Sequence, residues 1–125
     1  MRYIRQLVQT TVKKSRKKIN ANRERVNERK IRRAVREYLK ANDFLIIPYI
    51  PGLYGRKGCA DLLCCGTVHG VRGRFVAIET KRPGGKPSPE QLEFLEEVRR
   101  HGGIACIASS VQDVIDALDL PHYLL

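Results

Sequence analysis

A helix with a well-defined start and end, flanked by two apolar strands, constrains the fold of this chain more than any other feature. Residues 88–91 are Ser-Pro-Glu-Gln, which places a serine at the N-cap, a proline at the first helical position and a glutamine three residues after the cap. Gly102 and Gly103 supply a C-terminal stop. Apolar runs over about 74–81 and 104–108 predict a strand on each side. This unit predicts two parallel strands joined by a right-handed crossover.

The rest of the chain predicts two more helices and two more strands. Apolar side chains at helical spacing indicate a helix over roughly 23–41, and a shorter one follows Ser110. Residues 44–47 indicate a strand that a proline stops, and residues 61–65 indicate another. The order is helix, strand, strand, strand, helix, strand, helix, which predicts a small mixed α/β domain.

Positive charge is concentrated at one end of the chain. The 125 residues carry 24 Lys and Arg against 13 Asp and Glu, a formal charge of +11. Residues 1–40 alone carry +12, whereas residues 41–125 carry −1. The chain is therefore predicted to be a basic N-terminal arm joined to a nearly neutral globular part. The boundary adopted, residues 1–27 for the arm and 28–125 for the domain, rests on the motifs described below. Nucleic acid, an acidic partner or a membrane surface would each suit such an arm.

The sequence predicts a cytoplasmic protein. Its longest apolar runs are far shorter than the ~18 residues that span a bilayer, and its basic start lacks the apolar segment of a secretory signal. Its four cysteines do not form the two close pairs typical of a zinc site. Cys65 and Cys106 lie in apolar runs, so we expect them to be buried structural thiols. This cysteine usage suits a reducing compartment.

An acidic pair is expected where two strands meet. Side chains alternate along a strand, so Glu79 and Lys81 share one face at the end of an otherwise apolar run. A turn near residue 70 would leave Asp61 and Glu79 equidistant from it, and directly opposed side chains lie about 5 Å apart. An ordinary ion pair at a strand end is one interpretation of these residues. The other is a site for a hard cation such as Mg²⁺, with a lysine beside it to stabilise charge on a phosphate.

The motifs resemble those of a known nuclease family. Residues 58–61, Gly-Cys-Ala-Asp, followed by residues 78–81, Ile-Glu-Thr-Lys, resemble the PD-(D/E)xK nuclease core, with Ala60 in place of the proline. The stretch from residue 77 through the Ser-Pro-Glu-Gln helix start to residues 101–103 is similar to the VRR-NUC branch. That branch also carries a glutamate in its opening helix, as at Glu28 here.

This resemblance, over about residues 28–114, implies a fold and a set of site residues. The implied fold is a restriction-endonuclease-like core, a small mixed β-sheet flanked by helices, here with a basic helical N-terminal arm. The implied cofactor is Mg²⁺ or Mn²⁺. The implied metal ligands are Asp61, Glu79, Glu28 and the carbonyl of Thr80, and the implied catalytic residues are Asp61, Glu79, Glu28, Lys81 and Gln91.

Some of these residues also have simpler explanations. Glu28 stands among arginines and lysines, so a solvent-exposed salt bridge on the helix would account for it. Gln91 occupies the capping-box position, and capping alone would account for that residue. Basic residues in the arm and near the predicted site are candidates for DNA-backbone contacts, although solvated charge would also explain them. They are Lys13, Lys14, Arg16, Lys17, Lys18, Arg56, Lys57, Arg82 and Lys86.

The resulting hypothesis is a metal-dependent endonuclease that cuts DNA of a particular structure. Small stand-alone members of this branch resemble Holliday-junction resolvases of phage and bacteria, which implies the cytoplasm of a bacterial or phage-infected cell. A junction needs two cuts, so we expect a homodimer acting on branched DNA, with no membrane partner. The alternatives are a non-catalytic nucleic-acid-binding module, or a nicking or restriction-like repair nuclease.

Overall fold

A four-stranded mixed sheet positions all the elements of the chain. The computed structural model describes residues 16–18, 23, 27–49 and 57–120. Residues 27–41 form helix α1, and the short stretches at 16–18 and 23 are also helical. The elements that follow are β1 (Leu45–Ile46), β2 (Leu62–Val68), β3 (Val71–Thr80), α2 (Pro89–Arg100), β4 (Ile104–Ala108) and α3 (Val111–Leu118).

The sheet has the strand order β1-β2-β3-β4. β1 and β2 are antiparallel, as are β2 and β3, whereas β3 and β4 are parallel. The parallel pairing across α2 confirms the strand–helix–strand unit expected from the sequence. The mixed sheet flanked by helices also confirms the predicted fold class.

The hairpin between β2 and β3 is longer than the sequence analysis indicated. His69 and Gly70 form a two-residue turn with φ of 50° and 75°, a pair of positive values that suits the twist of a tight hairpin. Gly66 lies just beyond the strand predicted over residues 61–65 and belongs to β2 in the structure. A Cβ there would come within 2.5 Å of the Phe44 ring, so the glycine provides space for that side chain. The pairing is irregular between Gly66 and Val68.

The two faces of the sheet pack against different helices. Val76 and Ile78 of β3 belong to a buried cluster with residues of α1 and α3. Ala77, which points the other way, belongs to a second cluster with Leu95 and Val98 of α2. The side chains in both clusters are mainly aliphatic, as expected for a chain without tryptophan. Glu79 is two residues after Ala77, and side chains two residues apart on a strand point to the same face of the sheet. Glu79 is therefore directed toward the face that α2 covers.

Helix α2 begins and ends where its sequence predicted. The Ser88 hydroxyl accepts the Gln91 amide, and the Gln91 side-chain Oε1 accepts the Ser88 amide at 2.8 Å, which completes a capping box. At the other end the amide of Gly103 donates to the carbonyl of Val98 at 2.9 Å. Gly102 has φ of 86°, a conformation that glycine adopts without strain. The start of α2 is therefore fixed beside the end of β3.

All four cysteines are free, and Cys64 is the one that is fully buried. Cys65 and Cys106, expected to be buried structural thiols, are only partly buried. Burial raises the pKa of the Cys64 thiol to about 12, so this group stays protonated and unreactive near neutral pH. Within the described residues, none of the helices has the length and apolar character needed to cross a bilayer.

Candidate active site

Asp61 and Glu79 lie side by side at one end of the β2–β3 ladder. Leu62 pairs with Ile78, and the next position along the same register is Asp61 opposite Glu79. The backbone amide of Asp61 donates to Glu79 Oε2 at 3.2 Å. The two acids predicted to be neighbours are thus in direct contact.

Thr80 holds the carboxylate of Asp61 in one orientation. Asp61 Oδ2 accepts the Thr80 amide at 3.0 Å and the Thr80 hydroxyl at 2.8 Å. The other oxygen, Oδ1, lies 3.8 Å from Nη1 of Arg32 on α1. One face of the carboxylate is therefore anchored to β3, and the other is directed toward a cation.

Glu79 is a buried carboxyl group with two polar side chains around it. It is 1% exposed, and its Oε1 accepts a 2.7 Å hydrogen bond from Gln91 Nε2 and lies 3.5 Å from Lys81 Nζ. Burial first, and then the negative charge of Asp61, raise the pKa of Glu79 to about 7, against an opposing effect of Lys81. Glu79 is thus close to half protonated at neutral pH, and added positive charge would favour its ionised form.

The donor set at this point fits a hard divalent cation. Mg²⁺ is commonly held by one or two carboxylates together with retained waters, and Asp61 and Glu79 supply two carboxylates whose charge Arg32 and Lys81 offset only in part. Across the parts of the chain that the structure describes, no three His, Cys, Asp or Glu side chains are grouped to hold a metal ion. Glu28, partly buried on α1, does not complete such a group, and its role as a ligand stays a prediction.

A basic cleft adjoins Asp61, and the sequence analysis did not identify it. The cleft has a volume of about 680 Å³, and Asp61 and Tyr49 are among its lining residues. Its cations all come from α1 and are Arg29, Arg32, Arg33, Arg36 and Lys40. Each of them has another three or four residues away, which places them along one side of the helix. That spacing can be read from the sequence, and it predicts a row of basic side chains on one side of α1. It does not predict which edge of the sheet this row faces.

The predicted DNA contacts are placed at several points. Lys13, Lys14 and Arg56 lie outside the described residues. Arg16, Lys17 and Lys18 are exposed on the helical stretch 16–18. Lys57 and Lys86 are exposed in the segments before β2 and before α2, and Arg82 is partly buried just after β3. Gly58, next to Lys57, packs closely on α2, since a Cβ there would lie 2.7 Å from the backbone of Glu90.

The fold and the site together define a class of protein. An aspartate at the start of one strand and a Glu-x-Lys at the end of its neighbour, in a mixed sheet flanked by helices, is the arrangement expected for PD-(D/E)xK nucleases. The family model of the VRR-NUC domain matches residues 5–112. The chain belongs to the VRR-NUC family, and this membership implies a nuclease-type function.

A solved structure described as a VRR-NUC domain is similar to this one. The two are 27% identical in sequence, with a TM-score of 0.60, and the similarity covers 78% of this chain and 97% of the other. No curated protein matches the chain. Because the family match begins at residue 5, it includes most of the segment that we assigned to the arm, and the boundary at residues 27 and 28 stays a prediction.

Proposed function

We propose that this chain is a divalent-metal-dependent endodeoxyribonuclease. The observation that carries the proposal is the contact between Asp61 and Glu79, with Lys81 Nζ at 3.5 Å from Glu79 Oε1. Two carboxylates side by side repel each other, and Lys81 offsets only part of their charge, since the pKa of Glu79 is still raised to about 7. A metal ion together with a phosphate would satisfy the charge on all three.

The residues would divide the chemistry among them. Asp61, Glu79 and the Thr80 carbonyl would hold Mg²⁺ or Mn²⁺, with Glu28 as a further ligand. The ion would supply Lewis acidity and lower the pKa of a water molecule. Lys81 would stabilise the negative charge that develops on the phosphate oxygens. Gln91 would act as a positioning residue, because its amide fixes Glu79 Oε1.

The proposed reaction is hydrolysis of a phosphodiester. An oxygen–phosphorus bond forms from water, the bond from phosphorus to one ester oxygen breaks, and that oxygen ends as a hydroxyl with a proton derived from water. The products are a phosphate monoester and a free hydroxyl. No redox partner or further co-reactant is needed.

DNA would be held by contacts to its backbone. The cations of α1 line a cleft that reaches Asp61, and cations that neutralise phosphates give salt-sensitive binding with little sequence preference. Exposed cations at residues 16–18 and at Lys57 and Lys86 would extend this binding beyond the site. The substrate could then be selected by shape rather than by base sequence.

We further propose a homodimer that cuts branched DNA such as a Holliday junction, in the cytoplasm of a bacterial or phage-infected cell. The support is the resemblance to small stand-alone nucleases, together with one site per chain and the need for two cuts in a symmetric junction. A panel of four-way junctions, flaps, nicked and plain duplexes, incubated with Mg²⁺ or Mn²⁺, tests this substrate. Preferential paired cuts in the junction support it, and equal cutting of all duplexes would refute it.

Two alternatives differ in what the same panel would show. A nicking or restriction-like repair nuclease would cut plain or nicked duplex as readily as the junction. A non-catalytic binding module would retain all of the DNA species while cutting none. The polar contacts around Glu79 favour an enzyme, because a module that only binds DNA does not need a buried carboxyl group beside a second acid.

A further inference from the structure

Tyr49 carries a buried hydroxyl group that finds no partner among the described residues. Its oxygen is the one buried side-chain nitrogen or oxygen in that part of the chain without a hydrogen bond. Buried polar groups are nearly always hydrogen-bonded, so such an exception calls for a specific explanation. A ligand that binds at this point would provide one.

The sheet places Tyr49 next to the candidate active site. β1 pairs with β2 through Leu45 and Cys65, and the amide of Ile47 donates to the carbonyl of Leu63 at 2.8 Å, which continues the same register. If this register continues for two more residues, Tyr49 lies beside Asp61. Asp61 in turn lies opposite Glu79, so the three residues follow one another across neighbouring segments of the sheet.

The cleft defines the chemistry of a ligand for this hydroxyl. Tyr49, Asp61 and Arg32 line the same cavity of about 680 Å³, next to the other cations of α1. A DNA backbone bound along these cations would bring phosphate oxygens to the end of the cleft where Asp61 lies. Phosphate oxygens accept strong hydrogen bonds, whereas the carboxylates that line the cleft, Glu37 and Asp61, are not hydrogen-bonded to the Tyr49 hydroxyl.

The hydroxyl is a donor at the pH at which the protein would work. The ordinary pKa of a tyrosine phenol is about 10, and burial raises the pKa of Tyr49 further. The phenol therefore keeps its proton near neutral pH and can donate it in a hydrogen bond without changing the charge of the site.

We propose that the Tyr49 hydroxyl donates a hydrogen bond to a non-bridging oxygen of the phosphodiester that is cut, which makes Tyr49 a catalytic residue. This inference rests on the proposed nuclease function and adds a substrate contact that the acidic motif does not contain. The bond strengthens as negative charge builds on that oxygen, so it stabilises the transition state more than bound DNA.

The test compares Tyr49→Phe with Tyr38→Phe. Tyr38 is a buried residue of α1 and does not line the cleft, so its variant controls for the loss of a phenol hydroxyl elsewhere. Single-turnover cleavage of a DNA that the wild-type chain cuts is measured with Mn²⁺, DNA affinity is measured in EDTA, and thermal stability is measured without DNA. Tyr49→Phe is expected to slow cleavage by about 10- to 100-fold, with affinity and melting temperature nearly unchanged. Tyr38→Phe is expected to cleave at the wild-type rate.

The outcomes separate this inference from the function on which it rests. Cleavage by Tyr49→Phe at the wild-type rate would overturn the inference alone. A slow variant with a clearly lowered melting temperature would also overturn it, since the hydroxyl would then have a structural partner. A wild-type chain that cuts no DNA under any of the metal conditions would overturn the proposed function and this inference with it.

Discussion

Nε2 of Gln91 lies 2.7 Å from Oε1 of Glu79, while the Oε1 of the same glutamine accepts the amide of Ser88. One side chain thus caps helix α2 and positions a carboxyl group of the candidate site. The sequence offered two explanations for Gln91, capping and a role in the site; the structure shows the cap and a contact with Glu79, and the role in catalysis stays a prediction. They can be separated because Ser88 takes part in the cap and not in the contact with Glu79.

Gln91→Ala and Ser88→Ala are therefore expected to differ in their effects. Both variants break the capping box and should lower the free energy of unfolding by about 1 kcal/mol. Gln91→Ala also removes the hydrogen bond to Glu79, so it should slow single-turnover DNA cleavage by about tenfold, whereas Ser88→Ala should cleave at nearly the wild-type rate. Urea unfolding and cleavage assays on the two variants check this. Equal slowing of cleavage would mean that Gln91 acts only through the helix.

The stability of the metal-free protein is expected to fall as pH rises. The pKa of Glu79 is about 7 in the folded chain against an ordinary value of 4.5, so between these values the folded state binds the additional proton. The contribution of Glu79 to the free energy of unfolding is therefore greatest below pH 4.5, and it is lost as the pH rises through about 7. Between these two pH values, the free energy of unfolding is expected to fall by on the order of 1 kcal/mol per pH unit.

Urea unfolding in EDTA at several pH values, for the wild-type chain and Glu79→Gln, measures this effect. The amide that this substitution introduces does not titrate, so the difference in free energy between the two proteins isolates the carboxyl group. The variant should gain stability relative to the wild type as pH rises from about 5 to about 8. Parallel profiles would show that Glu79 titrates near its ordinary pKa in the folded protein.

Mn²⁺ is expected to stabilise the wild-type chain through Asp61. A ligand that binds only the folded state raises stability by mass action, and a metal concentration about 100 times its Kd would add about 2.7 kcal/mol. Asp61→Asn, which keeps the size of the side chain, should lose this rise in melting temperature. Asp116→Asn changes an exposed acid on α3 and is the matched control. If Mn²⁺ raised the melting temperature of Asp61→Asn as much as that of the wild type, the metal would bind at a different site.

The basic cleft is expected to contribute directly to DNA affinity. Arg33 and Arg36 are exposed on α1 and line the cleft, whereas Arg72 and Arg100 are exposed and lie outside it. Replacing the first pair with alanine should reduce the slope of log affinity against log salt by about 2, since each phosphate contact contributes about 0.9. Replacing the second pair removes the same charge and should leave the slope close to that of the wild type. If the two double variants reduced this slope equally, the effect would come from net charge in general and not from the cleft.

Much of the fold was predictable because short-range patterns determine it. The capping box at Ser88, the glycines at 102 and 103 and the apolar run over 104–108 fixed α2 and β4 to within a residue. The position of the turn near residue 70 set the register that opposes Asp61 and Glu79. Each of these features depends on residues close in sequence or on the alternation of side chains along a strand.

The parts that were not predicted depend on contacts between distant segments. Tyr49 follows a two-residue strand, and its place beside Asp61 depends on the pairing of that strand with β2. Arg32 lies near Asp61 because α1 packs with its arginines toward this edge of the sheet, which helical spacing alone does not specify. Local composition favours a turn at Gly66, whereas the Phe44 ring that requires this glycine within β2 belongs to a separate, earlier segment of the chain.

The most direct test of the proposed nuclease is a comparison of the wild-type chain with Lys81→Ala on the same DNA. DNA affinity is measured in EDTA, and the single-turnover cleavage rate is measured with Mg²⁺ or Mn²⁺. Lys81→Ala is expected to bind DNA nearly as tightly as the wild type and to cleave it at least about 100-fold more slowly, because the proposed role of Lys81 is to stabilise the charge that develops on the phosphate during the reaction. Equal cleavage by the two proteins, or no cleavage by the wild type, would contradict the account.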